Sequence, residues 1–326
     1  MEIYGLGYVL KKRKNLLELY SETGRRRLYA NSRFVLAGIG RLESEALHFI
    51  AKYNGMLSLR RAFDIVRFDY PGSIQAEILK AQLKAYDDAS LKLYLAQKFV
   101  YAASLNKLYL LSVLKESNFD VEEEESKIRE YLDFQVSSVG ELRGLEALIT
   151  REYFAAFRKV IDPIYGFETR TRRPPRDCFN AALSFALALL YKYVKSALES
   201  KGFDVRIGYL HEPFRKRPSL ALDLAEEFKQ PIVDSFMIAL FTTNALSVKR
   251  DFRREGEAVY LGVRGRKKVL KAFRKRLELK IRGKSLLEWI HLQADKLAGF
   301  LLGDEKEYEP FIYCLLYTSP SPRDRG

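Results

Sequence analysis

The character of the sequence changes at Pro71-Gly72, and this break constrains the fold more than any other feature. Before it, apolar residues come in short clusters, such as residues 8–10, which basic turns and glycines separate in a strand-and-hairpin pattern. After it, long helix-forming runs begin near Ile74. We therefore predict an α+β protein with a small β-rich N-terminal domain at residues 1–72 and a large all-α domain at residues 73–313.

Helical spacing of apolar residues predicts one short helix in the N-terminal domain, at residues 43–52, packed on a small sheet. The same pattern, together with start and stop signals, predicts a series of helices in the C-terminal domain. They are residues 74–115 with one break, 121–134, 139–161, 178–200, 218–243, 267–281 and 286–302.

The chain carries a formal net charge of +14 over 326 residues, so its surface attracts polyanions. Phosphate backbone is the commonest large polyanion in a cell, which makes nucleic acid the leading class of partner. A chain rich in Lys and Arg also gains such a charge without any polyanionic partner, and charge alone does not separate the two.

The two cysteines, Cys178 and Cys314, stand far apart in the sequence. They provide neither a disulfide framework nor the paired spacing of a zinc site, so a reducing cytoplasm is the expected compartment. No uninterrupted apolar run reaches the length that spans a membrane, and we expect no membrane partner.

The last residues are interpreted separately from the rest of the chain. Residues 314–324 resemble the translation of a sequencing-library adaptor, and we interpret residues 314–326 as an artefact and leave them out of the fold prediction. The natural reading frame is expected to have been cut near Tyr313.

A glutamate, Glu146, lies within the apolar face of the predicted helix at residues 139–161. A carboxylate there is costly unless it finds a cation, a hydrogen-bond donor or a metal ion. The ordinary partner would be a neighbouring arginine, Arg143 or Arg151, and for this residue taken alone that interpretation is favoured.

Histidine and acidic residues concentrate between residues 208 and 228. His211 is one of three histidines in the chain, and Asp223 and Glu226 stand three residues apart, so on a helix they share a face and could share a cation. An imidazole with carboxylate oxygens suits manganese or magnesium, and zinc less well. A lone histidine is nevertheless more often structural, and an Asp-x-x-Glu pair is usually a solvated helix face.

Together these segments resemble the CRISPR-associated spacer integrases, over most of residues 1–313. The motifs that carry the resemblance are RGLEA at residues 143–147, RRPPxDxxNA at 172–181, GxLHEP at 208–213 and RPSLAxDLxE at 217–226. The resemblance implies that Glu146, His211 and Glu226 are ligands of an Mg²⁺ or Mn²⁺ ion. It also implies that Asp223 supports the same catalytic pocket.

The resemblance further implies a metal-dependent DNA integrase and endonuclease that inserts DNA fragments, the spacers, into a CRISPR repeat array. A 3′ hydroxyl of the fragment attacks a phosphodiester of the repeat and expels another 3′ hydroxyl. Because one phosphodiester bond replaces another, little bond energy changes and no nucleotide cofactor is required. The implied partners are double-stranded and branched DNA, a second copy of the chain bound through the N-terminal domain, and a small ferredoxin-like subunit of the adaptation complex.

Affinity for DNA has to come from positive charge outside the acidic pocket. Arg217 is a candidate phosphate clamp or, equally, an ordinary loop arginine. The basic run at residues 264–282 contains one acid, Glu278, and is either a DNA-binding segment or a solvated helix face. Its predicted DNA contacts are Arg266, Lys267, Lys268, Lys271, Arg274 and Lys275.

Two other functions stay open from the sequence. One is a DNA-binding scaffold that has the fold without the catalysis, in which the basic run matters and the acidic pocket is incidental. The other is a related transposon-borne integrase that shares the motifs.

Overall fold

The structure is a computed structural model that describes residues 2–14, 16–21, 24–29, 33–52, 56–61, 64–68 and 73–313. The adaptor-like residues 314–326 lie outside the described residues. The chain divides into two compact units, Met1–Ala76 and Glu77–Gly326.

The small unit is built on a mixed sheet with the strand order β3-β2-β1-β4-β5-β6. Its elements are β1 (Glu2–Arg13), β2 (Leu16–Ser21), β3 (Gly24–Leu28), β4 (Arg33–Leu42), α1 (Ser44–Lys52), β5 (Met56–Arg61) and β6 (Asp64–Phe68). Strand β4 runs parallel to both β1 and β5, and the other neighbours are antiparallel. Helix α1 makes the crossover that the parallel pair β4 and β5 requires.

The small unit has its own aliphatic core. Leu10, Leu17, Leu19 and Leu36 from the strands are 0% exposed, and Ile50 of α1 is 1% exposed. Burying each such side chain contributes about 2 kcal/mol. The predicted strand clusters and the predicted helix at residues 43–52 are therefore both present.

The rest of the chain is predominantly helical. Its helices are α2 (Ser73–Asp87), α3 (Ala89–Glu116), α4 (Glu122–Leu132), α5 (Val139–Val160), α6 (Cys178–Glu199), α7 (Ser219–Ala225), α8 (Ser235–Thr242), α9 (Val248–Asp251), α10 (Val263–Leu277) and α11 (Leu286–Leu302). Asp88 separates α2 from α3 and caps α3 with its side chain, and Ser285 with Glu288 forms a capping box on α11. The predicted fold class, a β-rich N-terminal part followed by a helical body, is confirmed.

The structure differs from the predicted all-α domain in three places. It is not all-α, because hairpins β7–β8 (Phe252–Glu255, Ala258–Leu261) and β9–β10 (Lys280–Ile281, Lys284–Ser285) lie on either side of α10. Helix α10 consequently begins and ends four residues before the predicted 267–281. The predicted helix at 218–243 is broken into α7, a π-helix at Lys229–Asp234 and α8. Pro231 has no N–H to donate and so disfavours a regular α-helix there.

Helix α6 is the centre of the helical body. It packs against α7, α10, α11 and the π-helix, and residues such as Phe179, Leu183 and Leu190 are fully buried. Among the described residues it is also the one helix whose length and composition would suffice to cross a membrane. A buried core helix passes the same test, so this is weak support for a membrane span.

Candidate active site

A cavity of about 590 Å³ in the helical unit contains all three predicted metal ligands. Glu146 reaches it from α5, His211 from the loop before α7, and Glu226 from the C-terminal end of α7. The structure thus brings together residues that are far apart in the sequence. We refer to this space as the main cavity.

Glu146 is half-buried and has no arginine partner among the residues that the structure describes. Its Oε1 accepts a hydrogen bond from Thr150 Oγ1, one helical turn further along α5, at 2.7 Å. Arg143 and Arg151 pair with other glutamates. The ordinary interpretation of Glu146, an ion pair with one of these two arginines, is therefore not what the structure shows.

Asp223 is fully buried and holds the loop that carries His211. Its Oδ2 accepts hydrogen bonds from the backbone N–H of Tyr209 and Leu210, at 2.6 and 3.0 Å. Its Oδ1 accepts the backbone N–H of His211 at 3.0 Å and lies 2.7 Å from the His211 ring nitrogen Nδ1. These contacts use both oxygens of the Asp223 carboxylate, so Asp223 positions the imidazole of His211. The carboxylate of Glu226 has a different partner.

Gly208 allows this loop to approach α7. A Cβ atom at residue 208 would lie 2.7 Å from Asp223 Oδ2 and 2.7 Å from the carbonyl oxygen of His211. Both distances are shorter than van der Waals contact, so any larger residue would push the loop away. This explains why a glycine opens the motif GxLHEP.

The contact with Asp223 also determines which nitrogen of His211 is available. When Nδ1–H donates to the carboxylate, Nε2 is left as the ring nitrogen with a free lone pair. Burial lowers the pKa of His211, but the carboxylates of Asp223 and Glu226 outweigh it and leave the pKa above its ordinary value. An ion at Nε2 therefore has to compete with a proton.

Glu226 is 2% exposed and is paired with a lysine. Lys229, in the first turn of the π-helix, donates from Nζ to Glu226 Oε1 at 2.5 Å. Burial raises the pKa of Glu226, but Lys229, Lys107 and His211 outweigh it, so the pKa lies below its ordinary value. The pKa of Lys229 is in turn raised, because Glu226 and Glu146 outweigh its burial.

A smaller cavity of about 40 Å³ shares Glu146, Glu226 and Lys229 with the main cavity. Asp234, at the end of the π-helix, accepts a hydrogen bond from Tyr153 at 3.0 Å, and burial raises the pKa of Asp234 to about 6. The residues of the main cavity therefore adjoin further buried charged side chains, among them Lys107 and Asp234.

The donor set of the main cavity fits Mg²⁺ or Mn²⁺ in chemistry, because it offers two carboxylates and one imidazole nitrogen. In the described structure, however, no three His, Cys, Asp or Glu side chains lie close enough together to hold one ion. Glu146 is engaged by Thr150, and Glu226 by Lys229. An ion shared by the three predicted ligands requires these two contacts to be exchanged for metal bonds.

The lining of the main cavity also contains arginines. Predicted residue Arg217 is one of them, and so are Arg170, Arg172 and Arg173, which sequence reasoning did not select as site residues. The Arg217 guanidinium donates to the carbonyl oxygen of Glu212 and, at 3.3 Å, to Ser219 Oγ. It thus braces the loop as well as facing the cavity. The signal that could have found the others is their density in the sequence, since Arg172 and Arg173 open the RRPPxDxxNA motif and Arg170 stands two residues before it.

The predicted DNA contacts on α10 fall into two groups. Lys267, Lys271, Arg274 and Lys275 are exposed to solvent. Arg266 and Lys268 are half-buried and have structural partners: Arg266 Nε donates to the carbonyl oxygen of Leu261 at 3.0 Å, and Lys268 Nζ donates to the buried Asp251 at 2.6 Å. Contact with DNA along α10 stays a prediction, and the exposed group is the one free to make it.

Comparison with known proteins identifies the family. A profile of the family described as CRISPR associated protein Cas1 matches residues 3–275. The chain belongs to the Cas1 family. The resemblance recognised in the motifs is thereby confirmed.

Curated relatives in the Cas1 family match over much of the chain. A CRISPR-associated endonuclease Cas1 from Clostridium perfringens is 31% identical over 284 residues, which cover 82% of this chain and 84% of the relative. A Cas1 endonuclease from Thermus thermophilus is 41% identical over 181 residues, or 54% and 56% of the two chains.

Solved structures share the fold. A casposase bound to integration product has a TM-score of 0.75 at 23% identity, covering 98% of this chain and 99% of the casposase. A Cas1 protein from Thermotoga maritima has a TM-score of 0.69 at 24% identity, again covering 98% and 99%. A partial complex of Cas6-RT-Cas1 with Cas2 gives 0.74 at 20% identity, covering 95% of this chain and 98% of the matched chain.

Proposed function

We propose that this Cas1 family protein inserts DNA fragments into a CRISPR repeat array by a transesterification that depends on Mg²⁺ or Mn²⁺, and that the same site can hydrolyse DNA. The observation that carries the proposal is that Glu146, His211 and Glu226 line one cavity together with four arginines, Arg170, Arg172, Arg173 and Arg217. Membership of a family whose curated relatives are named endonucleases supports it.

Each residue has a proposed role in the joining step. Glu146, Glu226 and Nε2 of His211 hold the ion, and Asp223 keeps the imidazole oriented and its Nδ1 protonated. When bound, the ion lowers the pKa of the attacking 3′ hydroxyl and neutralises charge on the phosphate. The arginines that line the cavity hold the DNA backbone beside the ion.

The proposed partners follow from the same comparisons. Similar folds are found in a protein bound to an integration product and in an assembly with Cas2. We therefore propose double-stranded and branched DNA as substrates and a small ferredoxin-like subunit as partner. We also propose a homodimer formed through the small unit, acting in the cytoplasm.

A half-site integration assay tests the proposal, with a labelled fragment, repeat DNA and Mn²⁺. Glu146→Ala and His211→Ala should each lower strand transfer by at least about a hundredfold, because each removes a ligand of the ion that stabilises the reacting charges. The matched controls are Glu130→Ala and His48→Ala, since both residues are exposed and outside the cavity. If either cavity variant joins DNA as well as the wild type, the proposed roles are wrong.

Two other functions make different predictions. A scaffold without catalysis would bind DNA in a salt-sensitive way, show no strand transfer, and melt at the same temperature with or without Mn²⁺. A transposon-borne integrase, which the casposase-like fold keeps open, would join DNA ends that carry terminal inverted repeats in preference to short fragments, and would not need a repeat array.

A further inference from the structure

Arg170 stands out among the cations of the main cavity by the way it is held. It lies in the segment between α5 and α6 and lines both the main cavity and the smaller one behind it. Its side chain is half-buried, whereas the neighbouring Arg172 and Arg173 are exposed.

Three acceptors fix the guanidinium of Arg170 in place. Nη1 donates to Asn180 Oδ1 at 2.6 Å and to the carbonyl oxygen of Thr171 at 2.5 Å, and Nη2 donates to Ser184 Oγ at 3.0 Å. Asn180 and Ser184 are one turn apart on α6, so the two Nη groups lie along one face of a rigid helix.

Asn180 is itself held in one orientation. Its Nδ2 donates to Asp177 Oδ2 at 2.5 Å and to the carbonyl oxygen of Thr169 at 2.7 Å, and its backbone N–H donates to Asp177 Oδ1 at 2.8 Å. With both amide hydrogens engaged in this way, its oxygen necessarily points at Arg170. The network therefore leaves Arg170 little freedom to move.

All three acceptors are electrically neutral. Within the part of the chain that the structure describes, no carboxylate comes within ion-pair distance of Arg170. Burial, followed by the like charge of Arg172, lowers the pKa of Arg170 to about 10 and outweighs Tyr191 and the carboxylates of Asp234 and Asp177, and the side chain is still charged at neutral pH. Arg170 thus differs from Lys229, whose charge is matched by Glu226.

The remaining donors of Arg170 share one edge of the guanidinium. Of its five N–H groups, three are used by the neutral acceptors. The two left without a described protein partner are Nε–H and the second hydrogen of Nη2. Two parallel N–H groups on one guanidinium edge match two oxygens of a phosphate group.

We propose that Arg170 is a fixed receptor for one phosphate group of the nucleic acid in the main cavity, and that Asn180 and Ser184 are its positioning residues. The identity of the ligand as a DNA phosphodiester rests on the proposed function. The receptor itself rests on the three neutral acceptors, on the absence of a direct ion pair to Arg170 among the described residues, and on the free guanidinium edge. Neutral acceptors orient the guanidinium without cancelling the charge that attracts the anion.

The first experiment measures binding of inorganic phosphate in the presence of a metal chelator. Phosphate should raise the melting temperature of the wild type above that in chloride of equal ionic strength, and Arg170→Gln should remove this rise. Arg170→Lys, which keeps the charge and loses the paired edge, should retain only part of it. Arg176→Gln is the matched control, since Arg176 is in the same segment, exposed, and outside the cavity.

The second experiment measures the salt dependence of binding to a short branched DNA without metal. Loss of one phosphate contact in Arg170→Gln should lower the slope of log K against log salt concentration by about one, and Arg176→Gln should lower it less.

Ser184→Ala should weaken phosphate binding in the wild-type background and have no further effect when Arg170 is already Gln. A merely structural effect of Ser184 would persist in both backgrounds.

The outcomes separate this inference from the proposed function. Phosphate binding or a salt slope in Arg170→Gln equal to that of the wild type overturns the receptor, and so does a wild type that phosphate does not stabilise. If phosphate binding depends on Arg170 while the wild type fails to join DNA in the half-site assay, the proposed function fails and the receptor stands.

Discussion

The cations around the main cavity and the cations of α10 reach their positions in different ways. Those of the cavity come from separate segments of the chain, at Arg170, Arg172, Arg173, Arg217 and Lys229. Those of α10 follow one another along a single helix, and sequence reasoning selected them first for that reason. In the structure two of them, Arg266 and Lys268, serve the fold, and the exposed ones face solvent.

The difference shows that the density of charge along a chain does not identify a binding site. A site needs a cation that is free of a direct carboxylate partner and whose position is fixed, and Arg170 meets both conditions within the described structure. Lys268 fails the first condition, because it is paired with Asp251, and Lys271 fails the second, because it is exposed on a helix surface. The predictions below test this contrast.

The largest expected effect is on Lys229. Lys229→Met leaves the buried carboxylate of Glu226 without its closest cation, and the free energy of unfolding should fall by about 3 kcal/mol. Because the ammonium no longer competes for Glu226, Mn²⁺ should raise the melting temperature of the variant more than that of the wild type. Thermal melting with and without Mn²⁺ measures both effects.

Lys271→Met, on the exposed face of α10, is the control for Lys229→Met and should change neither stability nor the response to Mn²⁺. A Lys229→Met protein as stable as the wild type and equally responsive to Mn²⁺ would show that Lys229 does not occupy the place of the ion.

Lys268 should matter for the fold rather than for DNA. Asp251 is 0% exposed, and Lys268→Met removes its partner at 2.6 Å while Arg264 remains 3.3 Å away. We expect a loss of about 2 kcal/mol in the free energy of unfolding, measured in urea. The adjacent and exposed Lys267→Met should lose less than about 0.5 kcal/mol. Equal losses in the two variants would contradict the division of α10 into structural and free cations.

The effect of Lys268→Met should also depend on pH. Burial raises the pKa of Asp251, but Lys268, the backbone N–H of Ser247 and Arg264 outweigh it and leave the pKa below its ordinary value. A carboxylate with a lowered folded-state pKa stabilises the fold above the unfolded-state pKa of about 3.9, and this stability is lost as the pH falls through the folded-state pKa. The gap between wild type and Lys268→Met should therefore be widest near pH 7 and narrow below about pH 4. A gap that widens in acid would exclude this ion pair as its cause.

The smallest expected effect is on the exposed cations of α10. Lys271→Gln should weaken DNA binding a few-fold for every sequence and lower the salt slope by no more than about one, with no change in melting temperature. Fluorescence anisotropy at several salt concentrations measures this. A loss confined to repeat DNA would mean that α10 reads bases instead of contacting the backbone.

Much of the fold could be predicted because its signals are local. Helix α11 agrees with the predicted 286–302 at both ends, since Ser285 with Glu288 starts it and Gly303, at φ +86°, ends it. The π-helix was missed although Pro231 marked it, because the apolar pattern continued on both sides. The hairpins beside α10 were missed because their strands are only two to four residues long.

The sequence predicted which residues form the candidate site, but it did not predict the hydrogen bonds and ion pairs that these residues make. The resemblance to the CRISPR-associated spacer integrases selected Glu146, His211, Asp223 and Glu226, and the three predicted ligands line one cavity. That Asp223 is bound to backbone N–H groups, or that a lysine three residues beyond Glu226 neutralises it, depends on how the loop and the π-helix fold. Arg170 was missed because what distinguishes it is a set of neutral hydrogen-bond acceptors in place of a direct carboxylate partner, which only the folded chain reveals.

Anomalous diffraction from crystals grown with Mn²⁺ tests the central claim most directly, namely that Glu146, His211 and Glu226 hold one divalent cation. We expect a single manganese peak in the main cavity, bound by both carboxylates and by Nε2 of His211, with Nζ of Lys229 moved away from Glu226. Absence of a peak there, or a peak that any one of the three residues does not contact, would contradict the claim.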